Sequence, residues 1–159
     1  MKTWHYLMRH TLTETLVNAA LNAGIGVYVF KGLDKVPVIG MRSVAVDAIA
    51  TGLILPIVVG LIVSIRTQHH LRSGVRLAPY HSLVSTWSMR ALPDKLLPRV
   101  SALGGFGVLF ALIATGACLL LEVESIAFST TVLLKALFAG VLAAYTAYVS
   151  CLIAIHQRD

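Results

Sequence analysis

The sequence predicts an all-α integral membrane protein, a four-helix bundle made of two antiparallel transmembrane hairpins. The chain of 159 residues is 57% hydrophobic and 13% charged, with a mean hydropathy of +0.82. A soluble domain carries about 25% charged residues. Four apolar runs approach the roughly 20 residues that a helix needs to cross a bilayer. These runs, which leave room for one membrane domain over residues 1–159, are Thr11–Phe30, Val44–Ile65, Val100–Leu121 and Thr130–Ile155.

The basic residues predict the orientation of the helices. Nine Lys and Arg residues lie in the two termini and the connection 66–99, and three lie between the first two helices. Cytoplasmic segments of membrane proteins are enriched in Lys and Arg. We therefore expect a multi-pass protein with both termini and the 66–99 loop in the cytoplasm. Because topology explains the formal charge of +6, we expect no nucleic-acid partner.

The first helix carries a row of polar residues at intervals of four. Glu14, Asn18 and Asn22 form its centre, and His10 and Gly26 extend it by one step at each end. Residues four apart lie on one face of a helix. Polar and ionisable groups at membrane depth face protein or a wet cavity rather than lipid. We therefore expect this face to pack inside the bundle.

Polar residues on all four helices are expected at similar depth in the outer half of the membrane. Asp47 and Lys135 are the natural ion pair, because an unpaired charge at that depth costs at least ~2.5 kcal/mol. The pair could be structural and fix the helix register, or it could line a path for ions. Glu14 is expected apart from these residues, nearer the cytoplasmic side. With it, the complete predicted seam consists of Glu14, Asn18, Asn22, Asp47, Thr51, Thr115 and Lys135.

Small residues recur every four positions on the second and fourth helices. Such rows allow helices to approach closely. They exceed what one four-helix bundle needs, so they favour packing against further copies or a larger complex. The rows are Ala48, Gly52, Pro56, Gly60 and Ser64, then Ala136, Gly140 and Ala144, and finally Ala139, Ala143 and Ala147.

The 66–99 loop is predicted to contact lipid headgroups or a docked partner. Ser82–Leu92 is expected to form a short helix at the membrane interface, with Trp87 on its apolar side. Basic residues beside a membrane helix attract anionic lipid. The expected contact residues are Arg66, Arg72, Arg76, Trp87 and Arg90.

No motif predicts an enzyme or a cofactor. The sequence contains no phosphate-binding glycine loop, no Cys-x-x-Cys and no plausible serine–histidine–carboxylate set. Haem held between helices would require histidines at mid-depth. A haem or metal site at the cytoplasmic face is a lesser alternative, formed from His10, His69, His70 and His156.

An internal repeat is suggested by a shift of ninety residues. The shift lays Arg9 on Arg99, Gly26 on Gly116 and Ile65 on Ile155. Two hairpins in tandem would explain these matches, but so would chance, and both explanations stay open.

Three segments resemble a family of small uncharacterised bacterial four-helix integral membrane proteins. The segments are NAALNAGIGVYVFKGLDKVPVIG, DAIATGLILP and LLKALFAGVLAA. The resemblance covers the first, second and fourth helices and is weak in the middle loop. It implies a bacterial inner-membrane location and makes Asn18, Asn22, Asp47, Thr51, Pro56 and Lys135 the family's residues. It implies no activity.

Two functions are therefore expected. The first is a non-enzymatic accessory or scaffold subunit, with membrane lipids and membrane protein subunits, or further copies of itself, as partners. The alternative is a small oligomeric transporter or channel for protons, ions or a small polar solute, with the polar seam lining its path.

Overall fold

A computed structural model describes residues 3–77 and 91–157, and the fold in these ranges is mostly helical. This confirms the predicted helical class. Four long helices and two short strands make up the described regular structure. They are α1 (Thr3–Val29), β1 (Lys35–Pro37), α2 (Val44–Arg72), α3 (Leu96–Leu120), β2 (Ser125–Ala127) and α4 (Phe128–His156).

Three of the helices, α2, α3 and α4, are long and apolar enough to cross a membrane. This supports a membrane protein. Helix α1 has the required length, but its polar row lowers its hydropathy. Two helices extend beyond the predicted apolar runs. Helix α1 begins at Thr3 rather than Thr11, and α2 ends at Arg72 rather than Ile65. Polar helical turns continue where the apolar composition stops.

The two strands form a small antiparallel sheet that joins the first and third connections. Val36 pairs with Ile126 at its centre. Val36 in β1 and Val38 just after it are buried. The backbone N–H of Val38 extends the pairing by donating to Glu124 O at 2.9 Å. The sequence analysis did not predict these strands, because three residues are too few to show a periodic pattern.

Helix α4 is the centre of the bundle. Of its most apolar 18-residue stretch, 72% is buried, against 22% for α3. Helix α1 packs along α4, while α2 packs against both α4 and α3. The main interfaces therefore join helices of different predicted hairpins. Consecutive helices meet at the end of the bundle opposite the strands, where Tyr6 of α1 contacts His70 of α2.

The small-residue rows are largely used inside the chain. Ser64, Ala139, Ala143 and Ala147 are buried. A Cβ on Gly140 would lie 3.3 Å from Cβ of Ala19 on α1. These small-residue faces pack against other helices of the same chain, so they no longer indicate that a partner protein is needed.

The strand pairing agrees at one place with the ninety-residue shift. Val36 pairs with Ile126, ninety residues further along the chain. The helices do not keep this shift, since α2 and α4 both have 29 residues and begin 84 residues apart, at Val44 and Phe128. The strand pairing therefore leaves an internal repeat and chance both open.

Candidate functional site

An ion pair joins the two central helices. Lys135 Nζ on α4 donates to Asp47 Oδ1 on α2, and the side chains are 5% and 16% exposed. Ser43 caps α2 by accepting a hydrogen bond from Val46 N at 3.3 Å. Asp47 therefore lies in the first turn, where the helix dipole favours a carboxylate. The Lys135 stem crosses α1 at Gly26, where a Cβ would lie 3.1 Å from Lys135 Cδ.

A groove of about 320 Å³ opens on one side of this pair, and we call it the α1–α2 groove. Leucine, isoleucine, valine and alanine side chains form most of its wall. Its remaining lining residues are polar or charged, and α4 supplies one of them. These residues are Asn18, Asn22, Asp47, Thr51 and Lys135.

A second groove of about 270 Å³, the α3–α4 groove, opens on the other side of the pair. Asp47 and Lys135 line it as well, together with Thr115, Cys118 and Thr131. The ion pair therefore belongs to the wall between the two grooves. Every residue of the predicted polar seam except Glu14 lines at least one of them.

The polar row of α1 is held by bonds within that helix. Asn22 Nδ2 donates to Asn18 O at 3.0 Å, and Asn18 Nδ2 donates to Glu14 O at 2.8 Å and to Glu14 Oε2 at 3.3 Å. The asparagines thus bond one turn back along α1 instead of joining helices. Glu14 pairs with Arg66 of α2 at 3.7 Å, while the His10 ring packs at a tilt against the Tyr6 ring with a centroid distance of 4.4 Å.

The histidines expected at the cytoplasmic face are only partly brought together. The rings of His10 and His70 lie 5.9 Å apart, and those of His69 and His70 lie 6.4 Å apart. His156 is on α4, where its Nδ1 contacts Leu152 O. In the described ranges, no group of three or more His, Cys, Asp or Glu residues is arranged to hold a metal ion.

Of the residues expected at lipid headgroups, Arg66 and Arg72 lie in the last two turns of α2, and Arg76 follows the helix. Arg66, Arg72 and Arg76 are exposed. Trp87 and Arg90, with most of the expected Ser82–Leu92 helix, lie outside the described residues.

The sequence analysis missed two features at the end of the bundle opposite the strands. Tyr6 is 3% exposed, and its hydroxyl lies 3.0 Å from His70 Nδ1. Its position four residues before His10 was the available signal, because it extends the α1 row. Arg99 is fully buried near the start of α3, and its charge had indicated only topology.

No protein-family model, curated protein or solved structure matches this chain. The resemblance to small bacterial membrane proteins therefore stays a prediction. The geometry of the polar seam is the basis for a functional proposal.

Proposed function

We propose that the chain is a small inner-membrane transporter that moves protons along the polar row of α1. The observation that supports this is a line of polar groups through most of the bundle. It begins at Asp47 and Lys135, follows Asn22 and Asn18, and reaches Glu14 near the middle of α1, where Glu14 pairs with Arg66.

Along this line, some neighbouring residues are in direct contact, and others line the same α1–α2 groove. Asn18, Asn22 and the ion pair share that groove. Asn18 Nδ2 contacts Glu14 Oε2 at 3.3 Å, and Glu14 Oε1 lies 3.7 Å from Arg66 Nη1. Arg66 in turn lines a cavity of about 480 Å³ at the end of the bundle. The line thus joins a groove near the strands to a cavity at the other end.

The chemistry of these groups suits protons. Asp47 and Glu14 carry carboxylates, and ionisable residues at membrane depth are characteristic of proton and ion pathways. The asparagine amides do not titrate, but they orient water by donating and accepting hydrogen bonds. The groove volume of about 320 Å³ exceeds the ~30 Å³ that one water occupies in the liquid. Water in the groove would complete the path.

The proposal makes α1 the fourth span of a bacterial inner-membrane protein with cytoplasmic termini. A helix rises 1.5 Å per residue, so the 27 residues of α1 exceed the ~30 Å hydrocarbon thickness. Leu12, Leu16 and Tyr28 are exposed on its surface, where lipid would cover them. The excess of basic residues at the termini and the 66–99 loop favours this orientation.

Proton flux into proteoliposomes tests the proposal. Purified protein is reconstituted with an internal pH-sensitive dye, and a potassium gradient with valinomycin supplies the driving force. We expect Glu14→Gln and Asp47→Asn to lower flux at least about tenfold, a change of ~1.4 kcal/mol in the barrier. Asp34→Asn is the matched control, because this exposed carboxylate lies outside the path.

A paired replacement separates transport from structure. Lys135→Met with Asp47→Leu removes both charges and leaves none unpaired, so folding should be preserved. Loss of flux from this folded variant supports the transport role. Wild-type flux from it would exclude the ion pair from the path and leave it a structural role.

The second candidate function is an accessory subunit of a larger membrane complex or a homo-oligomer. Its support is the exposed apolar surface of α1 and α3, including Leu16, Phe110 and Ile113. Gentle detergent extraction followed by intact-complex mass spectrometry tests it. Larger foreign subunits in fixed ratio would favour the accessory role, and a homo-oligomer would favour self-association. A single chain would exclude both.

A further inference from the structure

A basic cavity of about 480 Å³ lies between the start of α1 and the end of α2. Its polar lining consists of Tyr6, Arg9, His10, Thr13, Arg66 and His70. None of the described residues that line it carries a carboxylate. Glu14 approaches from α1 and pairs with Arg66 at 3.7 Å. Two guanidinium groups and two imidazoles therefore face one carboxylate.

This concentration of basic groups is unfavourable without an anion. The guanidinium groups of Arg9 and Arg66 are always charged. The rings of His10 and His70 lie only 5.9 Å apart and line the same cavity as the two arginines. A bound anion would relieve this repulsion.

The hydrogen-bond donors of the cavity are partly fixed in place. Tyr6 is 3% exposed, and its hydroxyl lies 3.0 Å from His70 Nδ1. The Tyr6 ring also packs on the His10 ring at 4.4 Å. This network positions both imidazoles beside the arginines. Arginine forks match the oxygen geometry of phosphate and bind it through paired hydrogen bonds.

We propose that this cavity binds a phosphate group. The group could belong to a phospholipid headgroup, because basic pockets between membrane helices bind such headgroups, or to phosphate in solution. The proposal does not rest on proton transport. Glu14→Gln separates the two, since it should lower proton flux yet strengthen phosphate binding by removing the competing carboxylate from Arg66.

Binding by the purified full chain in neutral detergent tests the proposal. Native mass spectrometry measures phosphatidylglycerol against phosphatidylcholine, and isothermal titration calorimetry measures inorganic phosphate. We expect Arg9→Gln to weaken binding about tenfold, in the range of one charged hydrogen bond, and Arg9→Lys to restore part of it. Lys95→Gln is the control, since it removes an exposed charge near the start of α3.

A second variant keeps the test informative if Arg9→Gln fails to fold. Thr13 is exposed, so Thr13→Glu should fold and place a carboxylate at the cavity, with weaker phosphate binding. Arg9-dependent binding of phosphatidylglycerol that inorganic phosphate does not displace identifies a headgroup site. Arg9-dependent binding of inorganic phosphate identifies a site for soluble phosphate. If Arg9→Gln and Thr13→Glu bind both probes as tightly as Lys95→Gln does, the proposal is wrong.

Discussion

Gly52 and Gly107 bring the backbones of α2 and α3 into contact. A Cβ on Gly52 would lie 2.7 Å from the carbonyl carbon of Gly107, and a Cβ on Gly107 would overlap the carbonyl oxygen of Gly52. No flexible side chain lies between them that could move aside. The close approach of these two helices therefore depends on both residues being glycine.

Gly107→Ala should destabilise the protein by about 1–3 kcal/mol, the usual range for overpacking a close contact. Gly105→Ala is the matched control, because a Cβ there meets nothing within 4 Å. The midpoint of thermal unfolding in detergent measures the difference. Equal midpoints for the two variants would show that α2 and α3 do not pack through this pair.

Lys135→Met alone should destabilise the protein strongly. It leaves the carboxylate of Asp47, 16% exposed, without its cation, and breaking a buried pair on one side costs about 3–5 kcal/mol. Lys135→Met with Asp47→Leu should recover most of this loss. Denaturant unfolding in detergent measures both. A double variant no more stable than the single one would mean that the charges are needed for folding.

Much of the helical fold could be predicted from the sequence, because apolar runs of membrane length are a strong signal. The packing order of the helices could not. A row of small residues marks a face that packs closely, but it does not identify the partner. On α2, Gly52 contacts Gly107 of α3, while Gly60 lies against Val100 of α3 and Ser150 of α4. One row therefore serves two helices.

The residues of the polar seam could be predicted from the sequence, but not all of their hydrogen bonds could. The depth of Asp47 and Lys135 was enough to pair them. The asparagines looked equally suited to join helices, yet Asn18 and Asn22 donate to carbonyls one turn back on α1. Such local bonds satisfy the amide within one helix, and no sequence pattern distinguishes them from bonds between helices.

The basic cavity could not be predicted from the sequence either, for a different reason. Arg9 and His10 come from α1, and Arg66 and His70 come from α2. Each pair looks like the basic end of a membrane helix, which topology explains. Only the folded chain shows that the two ends meet.

The register of the small sheet can be tested by cross-linking. Lys35 pairs with Ala127, and both are exposed. Directly paired strand positions have Cα atoms about 4.5–5.5 Å apart, which suits a disulfide. Lys35→Cys with Ala127→Cys should therefore cross-link rapidly under mild oxidation, as measured by loss of free thiol and by peptide mapping.

A control for this experiment keeps one cysteine and moves the other. In Lys35→Cys with Ser125→Cys, the second residue pairs with Pro37 instead, so cross-linking should be much slower. Faster cross-linking of this pair would contradict the observed register, in which Val36 pairs with Ile126.

Labelling can decide the membrane orientation that the basic residues predict. Met41 is 95% exposed in the first connection, which we place outside the cytoplasm, and Arg72 is exposed at the far end of α2. In spheroplasts, a membrane-impermeant maleimide should label Met41→Cys and should label Arg72→Cys only after lysis. The reverse pattern would invert the topology. Labelling of both before lysis would show that α2 does not cross the membrane, because its two ends would then face the same side.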